Sequence, residues 1–404
     1  MNDAASIGSS PRRIRQNNIV AALQTLYAHG SMSRADLARK LGMNRSSSGE
    51  IVAELTEGGF VQELDGGARQ RPEHGRLGRP GIMLELVSDA AFFVGVEIGV
   101  EHISAAVVDL SAEVRVCRKV AFDTPSASVE EAVAKGVELI VGAMSKGMIK
   151  RCKGFGISTP AHIRPDGIVT LAPIIGWRDV PLKEIGRAAF PAEVPIVVEN
   201  DANAFAIGDS YRHGTSGVTL FLLMETGVGG GIMIDGKLFR GGHGLAGEIG
   251  HTLVPGSGGQ KFEQLIGREV LIRQYRETTG RRNACIQELL VDVRDRVPDA
   301  VNIAETWSKH LAYALLQACR LIDPDRIVLG GSVASLYPMV VARVAAHMSE
   351  GQSIPFPTPE IVVDGDAEFG SAFGAACMLH QRFLSLENEE FGSEDGSLPR
   401  LAAT

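Results

Sequence analysis

The 404-residue sequence predicts an α/β protein with a winged helix-turn-helix domain at its amino terminus. Apolar residues recur at helical spacing around a tight glycine turn near the start of the chain, which indicates the head. After residue 88, β-branched runs alternate with amphipathic helical patterns, as in an α/β body, and we expect this body to have two lobes. Hydrophobic residues make up 45% and charged residues 22%, which excludes chain-wide disorder.

Three helical segments are predicted in the head. Apolar spacing places the first over about 14–28. Ser33 is a suitable N-cap for a short second helix, and Asn44 for the third. Gly42 makes the turn between them. In a helix-turn-helix the last helix enters the major groove of DNA.

The first turn of the third helix carries short donors and one arginine, which suit phosphates and base edges. The candidate DNA contacts there are Asn44, Arg45, Ser46, Ser47 and Ser48. Two β-prone runs at 60–61 and 82–87 flank a Gly/Arg-rich stretch that is predicted to be the wing, with Arg76 and Arg79 reaching DNA. The alternative is a small helical bundle with a basic linker that contacts proteins.

The distribution of charge supports a nucleic-acid module. Residues 1–85 contain eleven Lys and Arg against nine Asp and Glu, whereas the remainder contains 29 against 39. A mildly basic head on an acidic body fits a DNA-binding domain fused to a body of another kind.

Several classes of protein are excluded or disfavoured by the sequence. No apolar stretch is long enough for a membrane span, and the polar, basic start is not a signal peptide. The five cysteines are far apart, which indicates reduced thiols and a cytoplasmic protein. We predict four segments, namely a flexible 1–12, the head at 13–87, the body at 88–385 and an acidic disordered tail at 386–404.

Two kinds of segment in the body follow predicted strands. Glycine-rich runs at 227–231 and 330–332 either bring backbone N–H groups to an anion or only make tight turns. Asp201 lies after the strand at 196–198, where α/β folds bind ligands. The alternative role for Asp201 is that of a helix N-cap.

The run Gly-Gly-His-Gly-Leu-Ala-Gly-Glu-Ile-Gly-His at 241–251, taken with Asp201 and the 227–231 loop, resembles the ROK family of repressors, open reading frames and kinases. The resemblance covers about 90–385, and the head with Gly78-Arg79-Pro80 matches the repressor branch. It implies the sugar-kinase/actin-like ATPase fold. We expect one lobe at about 88–199 plus 368–385 and the other at about 200–367.

The resemblance also implies roles for five polar residues. The aspartate at the position of Asp201 is the general base of ROK sugar kinases. The residues implied to bind the hydroxyls of an effector sugar are Asn200, Asp201, Glu248, His251 and Glu263. Their carboxylates, amide and imidazole supply the donors and acceptors that sugar hydroxyls need.

The phosphate loops depart from the kinase pattern. Val100-Glu101-His102 stands where kinases have Gly-Thr-Lys, and Glu225 replaces the leading glycine of the second loop. Two added carboxylates repel a triphosphate at short range. We therefore expect sugar binding without phosphorylation, no bound cofactor and no enzymatic activity.

Two other family features are absent. Residues 252–261 contain no cysteine, whereas family members place three there to hold structural zinc, so we predict no metal. Ile174-Ile175 replaces an asparagine before Gly176-Trp177. One side of the pocket is then apolar, which indicates either an altered ligand or a decayed sugar pocket.

The sequence therefore predicts a cytoplasmic, sugar-responsive transcriptional regulator of carbohydrate metabolism, in the manner of a repressor. Its partners are double-stranded operator DNA and a small sugar or sugar derivative. Paired half-sites require a symmetric oligomer, so we expect a homodimer or homotetramer. One alternative is an active sugar kinase with an appended head, and another is a DNA-binding dimer whose body is only a scaffold.

Overall fold

The computed structural model of the protein describes residues 11–64, 82–214, 216–352, 357–365 and 367–385. The predicted wing residues Arg76 and Arg79 and the predicted acidic tail at 386–404 lie outside the described residues, as do the first ten residues. The boundaries of the four predicted segments stay predictions. Among the described helices, none is long and apolar enough to cross a membrane.

The head has three helices and a small antiparallel sheet of strand order β1-β3-β2. Its elements are α1 (Pro11–His29), β1 (Met32–Ser33), α2 (Arg34–Lys40), α3 (Arg45–Glu57), β2 (Val61–Leu64) and β3 (Met83–Leu86). Both predicted caps are confirmed, because Ser33 Oγ accepts from the backbone N–H of Asp36 at 3.1 Å and Asn44 Oδ1 accepts from that of Ser47 at 2.9 Å.

The first lobe is a five-stranded sheet of order β11-β7-β4-β5-β6 with helices packed on it. Its elements are β4 (Phe92–Ile98), β5 (His102–Asp109), β6 (Val114–Ala121), α4 (Val129–Val141), α5 (Lys146–Lys150), β7 (Cys152–Thr159), β8 (His162–Ile163), β9 (Val169–Ala172), β10 (Trp177–Val180), α6 (Leu182–Ala189) and β11 (Ile196–Asn200). Helices α4 and α5 are separate, because Gly142 ends α4 and Ser145 caps α5. The parallel pairing of β4, β7 and β11 brings their carboxyl ends to one edge.

The second lobe is built on a five-stranded sheet of order β14-β13-β12-β15-β16. The elements from residue 201 onward are α7 (Asp201–His213), β12 (Val218–Met224), β13 (Val228–Ile234), β14 (Lys237–Leu238), α8 (Glu263–Ile266), α9 (Arg268–Thr279), α10 (Ile286–Arg294), α11 (Pro298–Ile322), β15 (Arg326–Gly330), α12 (Tyr337–Glu350), β16 (Glu360–Val363) and α13 (Gly370–Phe383). The predicted two-lobed α/β body is therefore confirmed.

Helix α13 packs so closely against a strand of the first lobe and against helix α7 that their backbones are in contact. A Cβ atom at Gly374 would overlap the carbonyl oxygen of Ala204 in α7. One at Gly95 in β4 would overlap that of Ala372 in α13. Glycine is required at both positions because no side chain fits between the elements.

The core of the head is continuous with the body beneath it. Leu23 of α1 and Phe60 belong to the same buried cluster as Phe383, the last residue of α13. The Phe60 and Phe383 ring centroids lie 5.9 Å apart. The side chain of Gln24 donates a hydrogen bond of 2.7 Å to the carbonyl oxygen of Leu384. The end of α13 thus forms part of the base on which the head rests.

Candidate functional site

A cleft between the two lobes collects polar side chains from the ends of several strands and from the loops of the second lobe. All five predicted sugar-binding residues line it, namely Asn200, Asp201, Glu248, His251 and Glu263. Six carboxylates line the cleft in all, against the two cationic side chains of Lys261 and Arg268. The cleft is therefore acidic.

Asp201 lies at the junction of β11 and α7, and its neighbour caps the helix. The side-chain oxygen of Asn200 accepts from the backbone N–H groups of Ala202 and Asn203 at 2.9 and 3.1 Å, so Asn200 is the N-cap. The alternative role for Asp201 is therefore wrong. Burial, followed by the nearby Glu97 carboxylate, raises the pKa of Asp201 to about 7.

Glu248, His251 and Glu263 come together because a short 3₁₀ turn at Ile249–His251 folds the chain back. His251 Nε2 lies 3.7 Å from Glu248 Oε2, and His251 Nδ1 lies 3.8 Å from Glu263 Oε1. Lys261 Nζ lies 2.7 Å from His251 Nδ1. These groups present both donors and acceptors to a ligand in the cleft.

The sequence prediction did not include His162, which reaches the same group from the first lobe. His162 Nδ1 lies 3.5 Å from Glu248 Oε1. His162 opens β8, three residues beyond the end of β7 at Thr159. The rule that placed Asp201 at a ligand-binding edge, namely its position after a strand, applies to His162 as well.

Three of the glycines at 227–231 lie inside a strand and not in a phosphate loop. Strand β13 begins at Val228 and pairs with β12. Cβ atoms at Gly229 and Gly231 would lie 2.9 Å from the Cβ atoms of Ala202 and Ala206. These two glycines therefore let α7 approach the sheet, a role that differs from the tight turn considered for this run.

The two added carboxylates of the phosphate loops are held by an arginine. Glu225 accepts from the backbone N–H and the hydroxyl of Ser332 at 2.7 and 2.8 Å. Arg268 lies 3.4 Å from Glu225 and donates to Glu101 at 2.6 Å and to the hydroxyl of Thr226 at 2.9 Å. The backbone N–H and the hydroxyl of Ser332, in the turn after β15, therefore already donate hydrogen bonds to the Glu225 carboxylate. The guanidinium group offsets the repulsion between Glu101 and Glu225.

Only one of the two isoleucines that replace the family asparagine reaches the cleft. Ile174 is 37% exposed and lines it, whereas Ile175 is 2% exposed and lies in the core of the first lobe. Of the two isoleucines, only Ile174 therefore contributes to the predicted apolar side of the pocket.

One of the predicted DNA contacts in the head is wrong. Ser48 is 3% exposed and faces the core together with Ile51 and Leu55, because these positions lie on one side of α3. A buried hydroxyl does not reach DNA. Of the other candidates in the described part of the head, Asn44, Arg45 and Ser46 are exposed and Ser47 is half-buried.

The two-lobed fold and its polar cleft define a sugar-kinase-like protein, and residues 93–382 match the family model described as the ROK family. The chain therefore belongs to the ROK family. Among curated proteins, the Xylose repressor of Bacillus spizizenii is 23% identical over 92% of this chain and 97% of its own. The Glucokinase of Streptomyces coelicolor is 35% identical over 60% of this chain and 82% of its own. The chain spans 59% of the length of the Xylose repressor of Caldicellulosiruptor bescii, at 28% identity.

Solved structures show the same architecture. A ROK family transcriptional regulator described as a homologue of the E. coli MLC protein matches 92% of this chain and 98% of its own, with a TM-score of 0.72 and 19% identity. A ROK family glucokinase from Streptomyces griseus, in complex with glucose and AMPPNP, matches 72% of this chain and 100% of its own, with a TM-score of 0.63 and 25% identity. The match to the regulator extends over more of the present chain than the match to the kinase.

Proposed function

We propose that this protein is a DNA-binding transcriptional regulator, in the manner of a repressor, whose body binds a sugar in the cleft without phosphorylating it. The observation that carries this proposal is the shared core of the head and α13, which joins a helix-turn-helix domain to a sugar-kinase-like cleft. The relative named Xylose repressor in B. spizizenii aligns with 92% of the chain. D-xylose is therefore the first sugar to test.

The absence of phosphorylation is supported by the contacts of Glu225. A phosphate bound after β15 would need the donors of Ser332, and Glu225 already accepts from both of them. A triphosphate would also meet the negative charge of the cleft. The kinase remains the second candidate, because Asp201, with a pKa of about 7, is suited to act as a general base near neutral pH.

Sugar binding favours closure of the lobes in this proposal. Asn200 ends β11 of the first lobe, whereas Glu248, His251 and Glu263 belong to the second lobe, and all four residues line the cleft. A ligand that contacts both lobes binds the closed form more tightly than the open form. The difference between these two affinities sets how far the ligand shifts the equilibrium between open and closed lobes. The ion pair between Arg268 of α9 and Glu101 of the first lobe already joins the lobes where a nucleotide would bridge them.

Helix α13 relays closure to the head. Its first turn contacts the start of α7 through Ser371, whose hydroxyl donates to the carbonyl oxygen of Asp201 at 3.0 Å. Its 14 residues span roughly 21 Å. Its last residue, Phe383, packs on Phe60 of the head. A displacement at the cleft thus moves the base of the DNA-binding domain.

The head binds the major groove through the exposed side of α3. Arg45 and Ser46 supply the contacts at its first turn. Gly49 lies on the same helix, and among the described residues no atom outside that helix lies within 4 Å of the position of a Cβ atom there. It therefore has no packing role and allows a close approach of DNA. A homodimer or homotetramer places two such helices on a palindromic operator.

Operator binding against a sugar panel tests this proposal. A DNA fragment selected from genomic DNA by the purified protein is titrated with and without pentoses, hexoses, amino sugars and their phosphates. We expect one class of sugar to change the affinity and to raise the melting temperature. ADP release with ATP and the same sugars would favour the kinase. No change in melting temperature with any sugar would favour the scaffold.

A further inference from the structure

We propose that His162, Glu248 and His251 form a binding site for a divalent metal ion of the zinc type, which joins the two lobes inside the cleft. The ligand atoms of the three side chains all lie within 4.8 Å of one another. Two of their separations are 3.5 Å, from His162 Nδ1 to Glu248 Oε1, and 3.7 Å, from His251 Nε2 to Glu248 Oε2.

These separations suit a common ion. Ligands at about 2.0–2.1 Å from a tetrahedral zinc ion lie about 3.3–3.4 Å from each other. The separations of 3.5 and 3.7 Å, each to a different oxygen of Glu248, exceed this value by about 0.1–0.4 Å. Two histidines and one glutamate also form a known zinc donor set that leaves a fourth position open. The side chains of His162, Glu248 and His251 are 27%, 32% and 39% exposed, so an ion can enter from solvent.

The charge of the cleft favours a cation. Six carboxylates line it against one lysine and one arginine, and Arg268 is already engaged by Glu101 and Glu225. The histidines add no positive charge when they are neutral, which is the form that binds metal. A divalent ion at Glu248 would offset part of this negative charge.

A second carboxylate, that of Glu263, lies near the other ring nitrogen of His251. Histidines that bind a metal commonly donate a hydrogen bond from that nitrogen to a carboxylate. Glu263 Oε1 lies 3.8 Å from His251 Nδ1. It can therefore accept a hydrogen bond from the Nδ1–H group while Nε2 binds the ion. Lys261 Nζ now lies 2.7 Å from Nδ1 and competes for this position. Its side chain is 41% exposed, so it can turn into solvent when the ion binds.

The metal site differs in kind from the one whose absence the sequence predicts. That prediction rested on missing cysteines after His251, and it did not include a ligand from the first lobe. Because His162 belongs to β8 in the first lobe and Glu248 and His251 to the second, the ion ties the lobes together. Because all three side chains line the cleft, a hydroxyl oxygen of the sugar would supply the fourth ligand.

Metal titration of the full chain tests this inference. The protein is treated with a chelator, dialysed, and titrated with ZnCl₂ by calorimetry and with CoCl₂ by visible absorption. We expect one ion per chain and cobalt bands of a tetrahedral site. His162→Ala should weaken binding at least about tenfold, because one of three ligands is lost. The exposed His243 lies outside the cluster, so His243→Ala should bind like the parent. Lys261→Met should bind more tightly.

Two results would overturn the inference. One is the lack of saturable binding by the parent, and the other is equal affinity in the parent and in His162→Ala. The sugar response is measured separately in the presence of a chelator. If sugar alters operator binding there while no metal site is found, only the metal inference fails. If metal binds at His162 and no sugar acts, only the proposed function fails.

Discussion

The hydroxyl of Ser371 donates a hydrogen bond of 3.0 Å to the main-chain carbonyl oxygen of Asp201. This contact joins the first turn of α13 to the first residue of α7, at the floor of the cleft. At the other end of α13, the ring of Phe383 lies between Phe60 of the head, at 5.9 Å, and Phe93 of the first lobe, at 5.5 Å. One helix therefore connects the ligand-binding edge to the DNA-binding domain.

Phe383→Ala should destabilise the protein by about 3–4 kcal/mol, since it leaves a cavity between aromatic rings. Phe383 is 4% exposed and packs on both the head and the body. Urea unfolding followed by circular dichroism measures the change. The control is Leu321→Ala, because that side chain is 83% exposed and should change stability by less than about 0.5 kcal/mol. Equal midpoints for Phe383→Ala and the parent would contradict the shared core.

His380→Gln should reduce the loss of stability in acid. Burial lowers the pKa of His380 from 6.5 to about 4 in the folded protein, where its ring contacts the carbonyl oxygen of Leu110 at 2.8 Å. The unfolded chain therefore binds more protons between about pH 4 and 6.5, and the parent loses about 3 kcal/mol as the pH falls through this range. Unfolding at a series of pH values checks whether the variant lacks this loss. The same dependence of stability on pH in His380→Gln and in the parent would contradict this role of His380.

Asp201→Asn should stabilise the protein above neutral pH. Because the pKa of Asp201 is raised to about 7, the folded state keeps a proton that the unfolded state loses near 3.8. Stability then falls as the pH rises between these values. The variant should exceed the parent by about 4 kcal/mol near pH 8, with no difference near pH 3. Since His380 acts in the opposite direction, the difference between variant and parent is measured at each pH. A variant less stable than the parent near pH 8 would refute this.

The part of the site that the sequence could predict is the part encoded locally. Asn44 and Ser33 cap helices through contacts only three residues away, so their roles follow from short patterns. The pairing of Arg268 with Glu101 joins residues 167 positions apart, and no local pattern indicates it. The contact between His162 and Glu248 is also long-range, since it depends on how the lobes face each other.

The error at Ser48 has a different cause. Ser48, Ile51 and Leu55 follow the spacing of one side of a helix, so the burial of Ser48 was present in the sequence pattern. The hydroxyl chemistry of a run of serines predicts a DNA contact at Ser48, whereas its position on α3 predicts burial. Position on the helix decides which side chains reach DNA.

Arg45→Ala should weaken operator binding and reduce its dependence on salt. If Arg45 contacts a phosphate, its loss removes about one released counterion from the slope of log affinity against log salt. Ser48→Ala is the matched control in the same turn, because its side chain is buried and should leave the slope unchanged. Fluorescence anisotropy at several salt concentrations measures both. A parental slope in Arg45→Ala would remove this residue from the phosphate contacts.

The most direct measurement is the operator affinity of the parent and of Glu263→Ala, each with and without the sugar that acts on the parent, starting with D-xylose. Glu263 lines the cleft and no residue of α3 does, so its loss should leave the affinity without sugar within about twofold of the parent. In the parent, sugar should change operator affinity by a factor in the range of about 5–150. In Glu263→Ala this factor should fall to about one, because the sugar has lost a partner in the closed cleft. A variant that responds to sugar as the parent does would show that the effector binds elsewhere.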